Sequence, residues 1–296
     1  MVVVSAQKLR ILSWNILHGE QIPPAGKLST EQWKNNLITS AHEIAQSLKA
    51  DFIGLQEVDL NQNRSGNLNQ TKIIAEAMGL KNWAFIPTLI GTPGEKWQKV
   101  NEKNPPIIAS DLSINSSAAK LNNSTLTSYG IGFATNQEIK KIHYKFLGRS
   151  RIGMPLLIPN EKKSGAKFIY VQDEPRVALI VELENGLTIT TTHLSFAPGV
   201  NIFQLKKLSN FLKTIPGRHV LTGDLNLPAD LPAKLSAVTG GWDSLIKQNT
   251  YPSWQPKIQF DYLLANKVSG FSAKKLPQLK PIISDHIPIG AEISFN

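Results

Sequence analysis

The octapeptide LTGDLNLP, Leu221 to Pro228, is the segment around which the rest of the chain is arranged. The run before it, Arg218 to Thr222, reads as a short buried strand that breaks at Gly223. Asp224 and Asn226 follow, with a single leucine between them. Alternate residues of an extended chain point the same way, so the carboxylate and the amide are expected to face one space. Pro228 stops the ladder because it has no amide hydrogen to give. Open α/β sheets place their chemistry at the carboxyl ends of buried strands. Gly, Asp, Asn and Pro are also the residues of a solvated turn. The segment alone leaves both readings open.

The same grammar, apolar strand residues meeting one or two polar groups, recurs along the chain. Lys8 to Trp14 reads as a strand that ends on Asn15, and Phe52 to Leu55 as one that ends on Gln56-Glu57. Leu187 to Leu194 carries His193, Ile258 to Leu264 carries Asp261, and Ser284-Asp285-His286 precedes a last strand, Ile287 to Ile293. Each has a plain structural reading. Asn15 and Asp285 could be caps, Glu57 a surface acid, Asp261 a solvent-facing residue, and either histidine a hydrogen-bonded structural group. Taken together they point to one site.

Between these segments the helices are legible. Ser29 with Gln32 forms a capping-box pattern, and Trp33, Leu37, Ala41, Ile44 and Leu48 recur at helical spacing to about Lys49. The strand, helix, strand order predicts a crossover unit. Shorter helices are expected over Asn69 to Met78 and Asn201 to Thr214. Further strands are expected at Trp83 to Pro87 and at Tyr129 to Thr135, the latter paired with Lys140 to Leu147. Arg176 to Leu183 and Leu187 to Leu194 flank Asn185-Gly186, the favoured pair of a type I′ hairpin turn. No internal repeat or linker divides residues 1–296, which read as one domain with irregular insertions near 91–128 and 149–173.

Composition narrows the class. The 296 residues are 41% hydrophobic and 18% charged, as in an ordinary globular protein. The absence of cysteine excludes disulfides, thiolate metal sites and cysteine nucleophiles. A formal charge of +10 favours a polyanionic partner, although the lysines are scattered without a dense basic block. The opening MVVVSAQ lacks a basic leader region, and no apolar run approaches the roughly 20 residues that span a bilayer. A cytoplasmic protein without a transmembrane segment is expected.

LSWNILHG, IGLQEVD, PRVALIVEL, TTTHLSF, LTGDLN, QFDYLLA and SDHIP, in that order, resemble the endonuclease/exonuclease/phosphatase superfamily. Within it, the run QEVD, RSG and Gln (Gln56 to Asp59, Arg64 to Gly66, Gln70) is similar to small bacterial members. The resemblance implies an α/β (α+β) fold of the deoxyribonuclease I type. That fold is a four-layer sandwich of two mixed, mostly antiparallel sheets flanked by helices. It also implies a Mg²⁺- or Mn²⁺-dependent phosphodiester or phosphomonoester hydrolase. By the same resemblance, Glu57 is the principal metal carboxylate, with Asn15 and Asp285 nearby. Asp224 orients or deprotonates the attacking water, and Asn226 holds the phosphate or that water. His286, oriented by Asp261, stabilises the transition state, with His193 on the opposite side of the phosphate and Arg176 as a phosphate contact. No obvious acid stands near His193 to orient it, which weakens its assignment more than the others, with Asp173 and Glu174 as the candidates to reach it. His18 is a secondary candidate ligand. The strand from Tyr129 ends in Thr135-Asn136, where many relatives carry a Ser-Arg pair.

The chemistry fits apart from the resemblance. Attack on phosphorus needs a nucleophile, charge neutralisation and help for the leaving oxygen, and carboxylates, imidazoles, an arginine and a metal supply these. Ser13 and Ser195 lack a nucleophile elbow, so a serine triad is disfavoured. The partner is a phosphate-ester substrate, with nucleic acid as one candidate. Lys96, Lys99 and Lys103 would then meet the backbone from the long loop. Against that, Trp97 is the loop's one aromatic for stacking, a weak base-reading surface. A phospholipid phosphodiesterase is a second candidate, through the apolar segment Gly153 to Pro159. A non-catalytic binding protein of the same fold is the contrasting class. It would be expected to have lost one of Glu57, Asp224, Asp285 or His286, and all four stand. Nothing in the sequence assigns an oligomeric state.

Overall fold

The computed structural model describes residues 7–110, 119–121, 125–159, 166–266 and 270–295. The chain opens with β1 (Gln7–Asn15), α1 (Thr30–Leu48) and β2 (Phe52–Leu60), with β2 parallel to β1. Next come α2 (Gln70–Ala77), β3 (Asn82–Gly91) and three short strands, β4 (Trp97–Lys99), β5 (Pro106–Ala109) and β6 (Ala119–Leu121). They are followed by β7 (Ser128–Thr135), β8 (Ile139–Gly148) and a ribbon of β9 (Met154–Pro159) and β10 (Ala166–Val171). The hairpin of β11 (Arg176–Leu183) and β12 (Leu187–His193) leads through α3 (Val200–Leu212) to β13 (Arg218–Asp224). β14 (Trp242–Ser244), β15 (Asp261–Asn266), β16 (Ser272–Lys275) and β17 (Ile289–Phe295) complete it.

One sheet has the order β16-β17-β1-β2-β7-β3-β5-β6 with β4 on β3, and the other β14-β15-β13-β12-β11-β8. The strands alternate as sandwich strands must. In β11, Val177, Leu179 and Val181 face the other sheet, where they meet Ile11, Phe52 and Phe133. Ala178 and Ile180 face outward onto Leu205, Leu208 and Leu212 of α3. On the opposite side, Trp14, Ile53 and Leu55 pack under Leu37, Ala41 and Ile44 of α1 and Ile74 of α2. The result is four layers, helix, sheet, sheet and helix. Each fully buried aliphatic side chain contributes about 1.5–3 kcal/mol through lost water contact. No helix of the described residues is long and apolar enough to cross a membrane.

α1 begins as its sequence predicts, with Ser29 and Gln32 each satisfying the other's backbone amide. Elsewhere the structure corrects the expectations. β8 does not pair with β7. It lies along β11 in the second sheet, while β7, buried at every position, takes β2 and β3 as neighbours. Adjacency in sequence suggested a hairpin, but both edges of β7 are already taken. The Asn185-Gly186 turn is not type I′, which needs positive φ at both residues. Only Gly186 is left-handed (φ 82°), and its amide donates to Leu183 O at 3.1 Å. The loop is therefore the three-residue form, a type I turn closed by a glycine bulge. The stretch 91–128 carries the short strands β4 to β6, and 149–173 carries the β9–β10 ribbon. Lys99 and Trp97 lie on β4, with Arg149 over the Trp97 ring at 5.3 Å. The segment Gly153 to Pro159 contains the whole of β9, and its side chains beyond Pro155 lie outside the described residues.

Candidate active site

Topology brings the polar strand ends together. β1 and β2 are parallel to each other, and so are β12 and β13. Asn15, Glu57, His193 and Asp224 therefore sit at or near carboxyl ends. β11, β15 and β17 are antiparallel to their neighbours β12, β13 and β1, which places Arg176 and Asp261 at amino ends and Asp285-His286 just before β17. In register, His193 stands beside Asp224 and Asp224 beside Asp261. The two sheets close tightly beneath this rim. Ser13 Oγ donates to Gln56 Oε1 (3.2 Å) and Gln56 Nε2 to Thr191 Oγ1 (2.8 Å). A Cβ on Gly54 would lie 2.5 Å from Thr191 Oγ1, so only glycine allows this approach.

Asp224 is buried at the centre. Its Oδ2 accepts from Asn15 Nδ2 (3.1 Å) and its Oδ1 from the Asn226 amide (2.9 Å). Asn226 shares the site, though not by strand alternation. The strand ends at Asp224, and Asn226 is left-handed (φ 49°), which turns its side chain toward His193 Nε2 (3.2 Å) and Leu194 O (3.0 Å). Asn15 Nδ2 also donates to Glu57 Oε1 (2.9 Å), while its Oδ1 accepts the Leu17 amide (3.0 Å). The asparagine thus bridges two carboxylates through its nitrogen, and its oxygen is engaged elsewhere. Glu57 sits in a bulge between Leu55 and Val58 with φ 55°. Such a bulge re-aims a side chain at a conformational cost.

The two imidazoles flank Asp224 Oδ2, His193 Nε2 at 3.6 Å and His286 Nε2 at 3.7 Å. Their protonation preferences are opposed. Burial holds His193 well below the usual histidine range, with Arg176 and His286 adding to it. Burial opposes the charge on His286 too, but Asp261 and Asp224 outweigh it and hold this imidazole well above the usual range. His286 Nδ1 meets Asp261 Oδ2 at 2.7 Å. Burial pushes the Asp224 carboxyl up to about 7, partly offset by His286.

Neither Asp173 nor Glu174 pairs with His193. Asp173 accepts from Arg176 Nη2 (3.1 Å), Ser195 Oγ (2.8 Å) and the Ser150 amide (2.6 Å), so it fixes the arginine instead. Glu174 lines the cleft, and burial raises it to about 7 against the pull of Arg176. The cleft holds about 660 Å³ and is also lined by Glu57, Arg176, His193, Asp224, Asn226 and His286. Tyr129, Tyr251 and Phe260 line it as well, with the Tyr251 ring 5.0 Å from that of His286. Sequence reasoning missed these aromatics. Tyr129 reaches the rim only because β7 pairs with β2, and Tyr251 lies in a loop without periodicity. His18 is pushed down to about 3 by burial and Arg64, and its carbonyl accepts from Gln70 Nε2, which gives it a packing role. Thr135 and Asn136 bond the Asp51 and Gly79 carbonyls and are structural as well.

The donors suit a hard divalent cation. Burial raises the Glu57 carboxyl, and the neighbouring Asp285 raises it further. Asp285 Oδ1 is buried without a hydrogen-bond partner among the described residues. Two repelling carboxylates, one with an orphan oxygen, form the oxygen-rich environment that Mg²⁺ or Mn²⁺ prefers. Asp224, Asp261 and His286 also present donor atoms within 4.8 Å of one another. There, however, His286 Nδ1 and Asp261 already serve each other.

The fold recurs in solved structures. An endonuclease/exonuclease/phosphatase family protein from Bacteroides thetaiotaomicron matches over 99% of both chains at 13% identity and TM-score 0.58. Mannosyl-6-phosphatase from the same organism matches over 97% of this chain and 100% of its own (13% identity, TM-score 0.55). The human Nocturnin catalytic domain, solved with bound sulfate, matches over 99% and 97% (16% identity, TM-score 0.53). No curated protein sequence matches the chain. The model of the Endonuclease/Exonuclease/phosphatase family spans residues 12–286, from the first strand to His286, and the chain belongs to that family.

Proposed function

We propose that the protein is a divalent-metal-dependent phosphoesterase that cleaves a phosphate ester by in-line attack of water activated at Asp224. The observation that carries this reading is Asp224 set between an imidazole that favours its neutral form and one held cationic by Asp261. A carboxylate whose pKa lies near neutrality matches the requirement for a general base. Asp224 Oδ1 is fixed by the Asn226 amide and Oδ2 by Asn15, and Oδ2, which faces both imidazoles, orients the water through its remaining lone pair. Asn226 positions His193 through Nδ2, the two flank the phosphate on one side, and cationic His286 meets the charge that develops on the phosphorane. Arg176, fixed by Asp173, neutralises a further oxygen. Glu57 and Asp285, beside Asn15, are the residues that would hold a divalent ion, which would supply positive charge to the phosphate oxygens and the leaving group.

The test is hydrolysis of bis-p-nitrophenyl phosphate and p-nitrophenyl phosphate with Mg²⁺, Mn²⁺ or EDTA, for the wild type and Asp224→Ala. Metal-dependent turnover that the substitution abolishes supports the reading, and the ratio of diester to monoester narrows the substrate. A folded protein that turns over neither compound and binds neither metal by calorimetry would instead be a binding protein of the same fold.

A further inference from the structure

Beyond the residues used above, the Glu57 side of the cleft carries a second charged arrangement. β2 continues to Asp59, whose side chain is fully buried. Arg64, in the turn after β2, donates Nε to Asp59 Oδ2 (2.9 Å) and Nη2 to Oδ1 (2.8 Å), and Ser65 Oγ donates to the same Oδ2 (2.8 Å). Gln70 Oε1 accepts the Asp59 amide at 2.8 Å and anchors this turn to α2. These are the residues of the QEVD, RSG and Gln run, of which catalysis at Asp224 uses only Glu57.

The guanidinium lies 5.6 Å from the centroid of the Tyr129 ring, and Tyr129 lines the cleft. A two-point clamp and an aromatic backing hold the fork in one orientation. Arg64 is nevertheless 28% exposed where Asp59 is fully buried, and its Nη1 donates to no described residue. Its charge is felt by Glu174, which lines the cleft, and Glu57 of the same cleft is among the groups that favour the cationic form. A buried carboxylate held only for stability is a poor bargain, because desolvation offsets the attraction. Tyr129 joins this fixed, partly exposed cation to the cleft wall.

We propose that Arg64 is a specificity residue whose free edge takes a second anionic group of the substrate, a phosphate adjoining the scissile one. The inference rests on the phosphoesterase reading. The flanking phosphate can belong to a nucleotide chain or to a phosphorylated polyol, and two matched substrate pairs separate these sources. They are TpT against pTpT, and inositol 4-phosphate against inositol 4,5-bisphosphate.

The measurement is kcat/KM on both pairs with Mn²⁺ for the wild type, R64Q and R64K, each checked by thermal melting. Expected for the wild type is a preference of about tenfold or more for the phosphate-flanked member of one pair, the size of a charge-assisted hydrogen bond. R64Q should bring that ratio close to one, mainly through KM. R64K, which keeps the charge and loses the fork, should lower it in part and carries the test if R64Q does not fold. A merely structural role would slow both members alike and leave the ratio unchanged. Turnover of bis-p-nitrophenyl phosphate without any such preference, or a preference that survives in both variants, overturns the role of Arg64 alone. No metal-dependent turnover of any of these substrates overturns the phosphoesterase reading and this inference with it.

Discussion

Asp261→Asn isolates what the buried carboxylate does for His286. The pair meets at 2.7 Å between two buried side chains. Asparagine keeps the volume and can still accept from Nδ1–H through its oxygen, so the ring stays aimed while the charge is removed. A hydrogen bond to a charged group is worth about 1.5–3 kcal/mol and a neutral one about 0.5–1.5, so the exchange costs roughly 1–1.5 kcal/mol. At 1.36 kcal/mol per pKa unit, it lowers the His286 pKa by about one unit. If the imidazolium is the form that meets the developing charge, kcat falls by about 5- to 13-fold, with little change in KM. The sign of the pH effect follows. His286 is held above its ordinary pKa in the wild type, so the variant loses its proton at lower pH, and the alkaline limb of kcat moves downward. The assay is a kcat–pH profile on bis-p-nitrophenyl phosphate at saturating metal. A D261N enzyme within threefold of wild type, with its alkaline limb in place, would refute the reasoning.

Three further outcomes are expected. Asp173→Ala removes the carboxylate that pairs with buried Arg176, whose Nε already lacks a partner among the described residues. Urea denaturation should show a loss of about 3–5 kcal/mol. Gly54→Ala places a methyl 2.5 Å from Thr191 Oγ1 between the sheets and should cost about 1–3 kcal/mol, read as a lower Tm. Glu174 is raised from 4.5 to about 7, so the native state binds a proton that the unfolded state has released. Stability in EDTA should therefore fall as pH rises from about 4.5 through 7, by on the order of 3 kcal/mol, and Glu174→Gln should flatten that slope.

Much of this arrangement was legible in the sequence because strand ends announce themselves. A buried apolar run that stops on Asn15, His193 or Asp224 states both the element and the position of the polar group. The helical stripe from Trp33 to Leu48 and the Ser29 box were equally local signals. Information that depends on pairing was not local. Nothing near Tyr129 says that β7 lies between β2 and β3, or that β8 belongs to the other sheet. The same holds for Asp173, which stands three residues from Arg176 and holds it, although His193 seemed the needier partner. Asn226 reached the expected space through a left-handed turn that strand periodicity does not anticipate.

The most direct test of water attack on phosphorus is hydrolysis of bis-p-nitrophenyl phosphate in ¹⁸O-labelled water with Mn²⁺, read by mass spectrometry. The account predicts one labelled oxygen in each p-nitrophenyl phosphate formed, none in the nitrophenol, and no labelled product from Asp224→Ala. Label in the nitrophenol, or labelled phosphate formed equally well by that variant, would contradict it.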